Sequence, residues 1–475
     1  MTKLNLTTLL QFFIFIVFAA LISLSPSLNI IPNNLIVTSF HDSQRLLELL
    51  LVSLILLENL AFKTNAAHFS ANKQIHYALY ALIALAIASS YFANSPRHAL
   101  IEISLFAGLS YLALLVVRLS HENNALLIKR LTYLLWASIL LYMVSFYVGY
   151  LTATIFNTPV KWPNPLTGFS SIRSFNQYQL WTLCLVTFPL LAFDFKNANT
   201  RRWLHIGLVC WWVLLFYSAS RGALLAWLFG LLATAVIYKK FAWPLVRLQL
   251  IHITAGFLSY QLLFQLIPNL RTSTLVTGTI MRDTTSDRTE LWSQAINLVQ
   301  DNPIFGIGPM HFAWVSSTVA HPHNSLLQII AEWGLPAALI MLGIAGNGIV
   351  SWLKRFNAYS LQTETNYNRH LAVVLFFTIT TGAVYSLVDG VIVMPISQVL
   401  LFTFIGLMVG FYSKGQKASV GINGHNVFNR IFASVVLVTL IWTTLPEISQ
   451  ATSGSEKHFS MGYSAAGPRF WLEVK

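Results

Sequence analysis

Long apolar runs recur from one end of the chain to the other, and they constrain its fold more than any other feature. A helix that crosses a bilayer needs about 20 predominantly apolar residues. Hydrophobic residues make up 56% of the sequence and charged residues only 9%, against about 25% charged in an ordinary soluble domain. The sequence therefore predicts an all-α, polytopic integral membrane protein. Residues 1–475 form a single membrane domain in this prediction, with about 12–13 transmembrane helices. The thirteen runs are centred near residues 16, 54, 84, 109, 141, 186, 211, 230, 257, 342, 380, 402 and 437.

The distribution of basic residues predicts the orientation of these spans. The formal net charge is +13, which in a soluble protein would suggest a nucleic-acid partner. In a membrane protein, however, Lys and Arg between spans ordinarily set topology. With the amino terminus in the cytoplasm, 18 of the 29 basic residues fall on the cytoplasmic side. We therefore expect this orientation, with membrane lipid as the surrounding partner and no nucleic acid.

The predicted external side carries one unusually long polar insertion, residues 268–332. A loop of this length is usually functional or contains structure of its own. Its stretch DRTELWSQAINLVQDNP places Leu291, Ala295, Leu298 and Val299 on one face, which predicts a helix that ends before Asn302–Pro303. Residues 447–475 form a short external tail in the same prediction.

Arginines gather on the predicted external side. Arg173 lies in SIRSFNQYQLW, Arg221 in SASRGALLAW between two spans, and Arg288 in SDRTELW; Arg271 and Arg282 share the long loop with Arg288. The planar guanidinium matches a diphosphate or a carboxylate better than a lysine does. A single arginine at a membrane edge is commonly an interfacial anchor. Arg221 has almost no loop around it, so we expect it to be buried beside a partner or an anionic ligand.

The stretch VAHPHNSLLQIIAEWGLP concentrates polar chemistry at the end of this loop. Ser325 and Gln328 form an S-x-x-Q pattern, which predicts a capping box and a helix that begins at Leu326. His323 and Asn324 then lie immediately before the helix amino terminus. The positive end of the helix dipole disfavours an imidazolium, so His323 is expected to be neutral and able to accept a proton.

Other readings of these histidines remain open. His311, His321 and His323 suggest a metal site, but zinc usually has three or four protein ligands and His-x-His with one distant histidine is a weak pattern. His323 also fits a purely structural role beside the helix cap. Glu332 and Asp389 are acids at the membrane edge that can orient a histidine or an arginine. We predict no metal and no cofactor.

Three stretches together resemble the O-antigen ligase/polymerase superfamily: SRGALLAWLFG, the DRTELW…NPIFGIGPMHF block and HPHNSLLQIIAEWGLP. RSFNQYQLW and VDGVIVMPISQ look closest to its ligase and pilin-glycosylating branches. The resemblance implies transfer of a glycan from undecaprenyl diphosphate to an acceptor hydroxyl on the periplasmic face, with inversion and without a metal. It assigns the diphosphate to Arg221 and Arg288 and a catalytic role to His323.

The remaining candidates are assigned to substrate binding: Arg173, His321, Asn324, Gln328 and Asp389. The resemblance implies an undecaprenyl-diphosphate-linked glycan as donor and the bacterial inner membrane as location. It leaves the acceptor open between lipid A-core, Ser or Thr of a pilin or other protein, and a growing glycan, which a polymerase would extend. A lipid-linked glycan flippase is the alternative of a different class, and the acids Glu58 and Glu102 inside spans bear on it.

Overall fold

The computed structural model of the chain describes residues 6–28, 30, 40–61, 73–156, 158, 160, 162–268, 288–316, 319–413 and 424–453. Regular structure in these ranges is helical, and no β-strand occurs in them. The α-helices are, in order, α1 (Leu6–Ala19), α2 (Phe40–Ala61), α3 (Lys73–Phe92), α4 (Pro96–Ile155), α5 (Ile172–Val186), α6 (Phe188–Ala192), α7 (Ala198–Tyr217), α8 (Arg221–Tyr238), α9 (Trp243–Gln261), α10 (Arg288–Asp301), α11 (Phe312–Val315), α12 (Ser325–Trp333), α13 (Leu335–Arg355), α14 (Asn366–Ser386), α15 (Pro395–Ser413) and α16 (Gly424–Ser453).

The helices lie where hydropathy predicts them, and the fold class is confirmed. A helix covers each of the thirteen predicted span centres. Within the described ranges, 7 helices are long and apolar enough to cross a membrane. One of these is α4, with 60 residues, and the non-helical backbone of Asn123 (φ −158°, ψ 86°) divides it into two segments. Each segment exceeds the length of about 20 residues that a crossing needs.

Close contacts between helices occur at glycines, where the absence of a side chain lets backbones approach. A Cβ on Gly230 of α8 would lie 2.1 Å from Thr381 Oγ1 of α14. A Cβ on Gly406 of α15 would lie 2.6 Å from the carbonyl oxygen of Ala113 in α4. Small residues at such crossings are typical of membrane helix packing, which relies on van der Waals contact. These contacts build the bundle on which the connecting loops rest.

The predicted helix in the long loop is confirmed as α10. Leu291 and Ala295 are buried, and they pack with Phe312 and Ala331 in a small apolar cluster. Trp292 Nε1 also donates to the carbonyl oxygen of Pro322, at 3.1 Å. Helix α10 therefore supports the HPHN segment from one side.

The junction between α12 and α13 is tight. Gly334 joins them with a positive φ of 84°, and a Cβ there would lie 2.0 Å from the carbonyl oxygen of Ile304. Its backbone amide donates to the carbonyl oxygen of Ile330 at 3.0 Å. Only glycine fits this backbone conformation and this close approach, so α12 passes into α13 without a flexible linker.

Part of the predicted tail is helical, and two predicted residues lie outside the described ranges. Helix α16 runs through Pro446 to Ser453, so residues 447–453 of the tail predicted over 447–475 continue that helix. A proline inside an apolar membrane helix is tolerated when neighbouring groups satisfy the freed carbonyl. Arg271 and Arg282 fall within 269–287, outside the described residues.

Candidate active site at the end of the long loop

Asn324 caps the helix that carries the HPHN segment. Its Oδ1 accepts the backbone amides of Leu326 and Leu327, each at 3.0 Å, and α12 begins at Ser325. The predicted capping box on Ser325 is therefore wrong by one residue. Asn and Ser are both strong caps, and here the Ser325 hydroxyl instead donates to the carbonyl oxygen of Asp389 at 3.2 Å. This bond ties the helix start to the loop between α14 and α15.

His323 has a backbone conformation that few residues other than glycine adopt. Its φ is +51°, in the left-handed region, and its side chain is only 7% exposed. Its backbone amide donates to His321 Nδ1 at 3.2 Å. A residue held in this region costs of order 1–3 kcal/mol and occurs mostly where the surrounding structure serves a function. The strain marks His323 as a functional candidate independently of its side chain.

The two ring nitrogens of His323 face opposite charges. Nε2 contacts the Arg173 guanidinium, and Nδ1 lies 3.5 Å from Asp389 Oδ1. A guanidinium only donates hydrogen bonds, so Nε2 must be the unprotonated, accepting nitrogen. Nδ1 therefore carries the proton and directs it toward Asp389. The 3.5 Å distance is long for a hydrogen bond, so the interaction between Nδ1 and Asp389 is mainly electrostatic.

Burial is the largest influence that lowers the pKa of His323 below its ordinary value of 6.5. Arg173 and Arg288 lower the pKa further, while Asp389 opposes the shift. His323 is thus neutral at pH 7, as expected, but burial and the arginines replace the helix dipole as the cause. For Asp389, burial favours the protonated form, yet the contacts with His323, His321 and Tyr385 hold its pKa at about 2. Asp389 is an anion over the whole physiological range.

Asp389 is fixed by groups that the sequence patterns did not single out. Tyr385 donates its hydroxyl to Asp389 Oδ2 at 2.8 Å, and Gln177 donates to Oδ1 at 3.3 Å. The backbone amide of Gly390 also donates to Oδ1, at 2.7 Å. Gln177 lies four residues after Arg173 on α5, so one face of that helix reaches both His323 and Asp389. This spacing was the available signal for Gln177.

The three predicted arginines lie within electrostatic range of one another. Burial and then Arg173 lower the pKa of Arg288, and Arg221 acts in the same direction. Asp389 opposes this shift. Arg173 and Arg288 are half-buried, whereas Arg221 is exposed, so the expectation that Arg221 is buried is wrong. Arg221 follows the cap Ser220 and is the first residue of α8, where the short connection from α7 leaves it at the surface.

A second polar cluster lies at the start of α2, and no sequence pattern was assigned to it. Arg45 donates to Glu48 Oε2 at 2.5 Å, to Gln398 Oε1 at 2.7 Å and to the carbonyl oxygen of Val393 at 2.6 Å. Arg45 and Glu48 are 3% and 0% exposed. Because Val393 and Gln398 flank the turn that follows Asp389, this guanidinium braces the loop of the candidate site. The signal was a charged i, i+3 pair inside an apolar run, HDSQRLLELL.

Three of the predicted site residues make hydrogen bonds that stabilise the fold. His311 is 1% exposed, its Nδ1 donates to the carbonyl oxygen of Pro309 at 2.7 Å, and its Nε2 accepts the amide of Ser95 at 3.0 Å. Gln328 is buried, and its amide nitrogen donates to Glu332 Oε2 at 3.3 Å. With the Asn324 cap, these contacts give each residue a role in the fold, and the substrate-binding roles of Asn324 and Gln328 stay predictions.

The acids inside the spans are also paired. Glu58 contacts Arg118 and accepts from Gln11 Nε2 at 3.1 Å. Glu102 accepts from Trp333 Nε1 at 3.4 Å. Such pairing is the usual arrangement of ionisable groups within a membrane bundle.

Residues 206–342 match the sequence model of a protein family described as O-Antigen ligase. This stretch contains Arg221, Arg288, His321 and His323, whereas Arg173 and Asp389 lie outside it. The resemblance to the O-antigen ligase superfamily is therefore confirmed over this stretch. It supports a ligase- or polymerase-type function in O-antigen-related glycan transfer by a multi-pass membrane protein. No curated protein sequence matches the chain.

Proposed function

We propose that the protein transfers an oligosaccharide from undecaprenyl diphosphate to an acceptor hydroxyl at the periplasmic face of the bacterial inner membrane. The acceptor is lipid A-core or a Ser or Thr of a pilin or other protein. A polymerase, which uses the hydroxyl of a second lipid-linked glycan, performs the same bond exchange with a different acceptor. The apolar bundle suits this reaction because the polyprenyl tail of the donor can lie against it in lipid.

One observation carries the proposal: among the described residues, three arginines that repel one another lie beside a neutral histidine, and Nδ1 of that histidine is 3.5 Å from Oδ1 of Asp389. Arg173 and Arg221 both act on Arg288 as like charges, and Asp389 opposes them. An excess of fixed donors and positive charge matches the charge that develops on a departing diphosphate. These arginines offer the positive charge that a metal ion supplies in many soluble transferases, so we expect activity to survive chelation by EDTA.

In the proposed reaction His323 is the general base. Its Nε2 removes the proton of the acceptor hydroxyl while that oxygen attacks the anomeric carbon of the donor sugar. The bond from the anomeric carbon to the diphosphate oxygen breaks, and its electron pair leaves with the diphosphate. Attack from the face opposite the leaving group inverts the anomeric centre. The resulting imidazolium is stabilised by Asp389 and then passes its proton to the departed diphosphate or to water.

Arg173 must change partner during this cycle. It contacts His323 Nε2, the atom that accepts the proton in the proposed mechanism. A diphosphate attracts a guanidinium far more strongly than a neutral imidazole does. Donor binding therefore draws Arg173 onto the diphosphate and frees Nε2 for the acceptor, so the base becomes available only when a leaving group is present.

The test is transfer by purified protein in lipid nanodiscs, with an undecaprenyl-diphosphate-linked glycan and each candidate acceptor. We expect His323→Ala to lower kcat by about 10²–10⁴-fold and Arg288→Ala by about 10²–10³-fold. Arg202→Ala, an exposed arginine at the start of α7, is the matched control and should transfer at the wild-type rate. Full activity of both site variants would sink the mechanism.

The flippase alternative predicts a different result. Reconstituted liposomes would then show movement of the lipid-linked glycan between leaflets without a covalent product. The proposed transferase instead forms a glycosylated acceptor and releases undecaprenyl diphosphate, which mass spectrometry detects.

A further inference from the structure

A cleft of about 510 Å³ opens between the end of α3 and the turn that follows α10. Its lining includes Phe92, Asn94, Asn302 and Phe305. The Phe92 and Phe305 rings stack with centroids 5.0 Å apart and planes at 26°, and Phe92 is 63% exposed. A stacked aromatic pair therefore lines the cleft, and each of its two backbone segments carries an amide side chain.

The two amide side chains are free to bind a ligand. Among the described residues, neither the Asn94 nor the Asn302 side chain has a hydrogen-bond partner, and both are exposed. Each amide offers one acceptor and two donors. A few polar groups beside an apolar surface are the usual composition of a small-molecule site, where the polar groups fix orientation.

The turn that forms one wall of the cleft is rigid, so this wall needs no reordering when a ligand binds. The amides of Ile307 and Gly308 donate to the carbonyl oxygens of Ala331 and Glu332, each at 2.9 Å. Gly306 has a φ of +67°, and a Cβ there would lie 2.5 Å from the backbone of Glu332. The turn is thus fixed to the carboxyl end of α12 before any ligand arrives.

Helix α12 sets the separation between this cleft and the candidate site. His323 precedes its amino end, and the cleft turn is bonded to its carboxyl end. The helix has 9 residues, so at 1.5 Å per residue the two places lie roughly 13 Å apart along its axis. A single sugar held at the diphosphate cannot cover that distance, whereas an oligosaccharide of several sugars can.

We propose that this cleft binds a pyranose ring of the donor glycan, beyond the sugar that is transferred from the diphosphate. The apolar face of the ring lies on the stacked Phe92 and Phe305, and its hydroxyls exchange hydrogen bonds with Asn94 and Asn302. A lipid chain fits poorly, because it would strip water from both amides and offer them no partner. The role as a donor subsite rests on the proposed transfer reaction; binding of a saccharide by the cleft does not.

The kinetic test compares two donors that differ only in length: undecaprenyl diphosphate with the full glycan, and with its first sugar alone. For the full glycan, Phe305→Ala should raise KM roughly tenfold with little change in kcat, as expected for loss of one aromatic contact. For the single-sugar donor, the Phe305→Ala variant should have the same KM as the wild-type protein. Phe305→Tyr, which keeps the ring, should restore the KM for the full glycan. Phe156→Ala removes an aromatic that is 72% exposed and outside the cleft, and it should affect neither donor.

An equal change in KM for both donors, or no change for either, overturns the donor subsite. A direct binding measurement separates that failure from failure of the proposed function. The glycan is released from the cells' own lipid pool by mild acid and titrated against the full-length protein, with saturation-transfer NMR as the readout. Wild-type protein should bind it, and Phe305→Ala and Asn302→Ala should bind at least tenfold more weakly.

If the wild-type protein binds the saccharide but shows no transfer activity, the proposal that the cleft binds a saccharide stands and the proposed transfer reaction is wrong. If the protein is active in transfer but neither Phe305→Ala nor Asn302→Ala weakens glycan binding, the cleft is not the saccharide site. The same holds if the wild-type protein binds no released glycan.

Discussion

Two arginine clusters in this protein use the same side chain in opposite electrostatic settings. At the start of α2, Arg45 meets the carboxylate of Glu48 and two further oxygen acceptors, and the group is fully buried. At the candidate site, Arg173 and Arg288 are half-buried and Arg221 is exposed. There Arg173 and Arg221 act on Arg288 as like charges, and the carboxylate of Asp389 acts on Arg288 in the opposite sense.

This difference indicates that the Arg45 cluster stabilises the fold, whereas the arginines of the candidate site are suited to binding an anionic ligand. The buried Arg45 is bonded to a carboxylate, an amide oxygen and a carbonyl oxygen, and it stabilises the turn around Val393. Like charges held close together repel one another, and this repulsion lowers the stability of the folded protein. Such an arrangement persists in a protein when an anionic ligand or a mechanism requires it. The comparison predicts that variants of the first cluster change folding and variants of the second change chemistry.

The largest effect is expected for Arg45→Ala. It leaves the buried Glu48 without a partner, which typically costs about 3–5 kcal/mol. Thermal unfolding of the purified protein should show a large decrease in stability. The double variant Arg45→Met, Glu48→Met removes both charges and should recover most of the loss. Arg288→Ala is the contrasting control: it relieves repulsion, so its stability should equal or exceed the wild type. Equal destabilisation by the two single variants would refute the distinction between the clusters.

Asp389→Asn should act mainly on kcat. Without the carboxylate the imidazolium of His323 loses its counter-charge, and we expect a fall of roughly 10²-fold. The pH profile gives a sharper readout. His323 accepts a proton only when neutral, so activity declines as the pH falls through its pKa, which lies below 6.5. Because Asp389 raises that pKa, its removal should move the acid limb to still lower pH. An unchanged limb would contradict the contact between these two side chains.

Arg173→Gln should move the acid limb in the opposite direction. Arg173 lowers the pKa of His323, so its removal raises the pKa and activity is lost at a higher pH. The variant also loses a charged contact to the diphosphate, for which we expect a KM about tenfold higher. Measuring both quantities on the same preparation distinguishes this change from misfolding, which would lower kcat and leave the pH limb in place.

The smallest effect is expected for His321→Ala. His321 Nδ1 accepts the backbone amide of His323 at 3.2 Å, a bond of about 0.5–1.5 kcal/mol. Its loss should loosen the strained conformation of His323 and lower kcat by less than about tenfold. His321→Asn, which can still accept this hydrogen bond, should be closer to wild type. A loss as large as that of His323→Ala would give His321 a chemical role of its own.

Hydropathy was sufficient to predict the helices, because apolar runs of spanning length have few other stable states in lipid. It placed a helix at all thirteen span centres and the amphipathic helix α10 in the long loop. Boundaries were less predictable. Asn324 and Ser325 are equally good caps from sequence, and the choice between them depends on Asp389, far along the chain, which accepts the Ser325 hydroxyl.

The candidate site was predictable in its residue types but not in its contacts. Arg173, Arg288, His323 and Asp389 stood out because charge is rare in this chain. Their pairing could not be predicted, since α5, α10, α12 and the loop after α14 approach only in the folded bundle. Tyr385 and Gln177 were missed for the same reason: an aromatic and an amide inside apolar helices look like ordinary packing residues until Asp389 is found between them.

The rigid junction at Gly334 has a consequence for how the protein responds to its membrane. Helix α13 is one of the helices long and apolar enough to cross a bilayer, and the tilt of such a helix adjusts to bilayer thickness. Since α12 joins α13 without slack, a change of tilt is passed along α12 to the backbone of His323. We therefore expect the acyl-chain length of the surrounding lipids to affect the geometry of the proposed base through this junction.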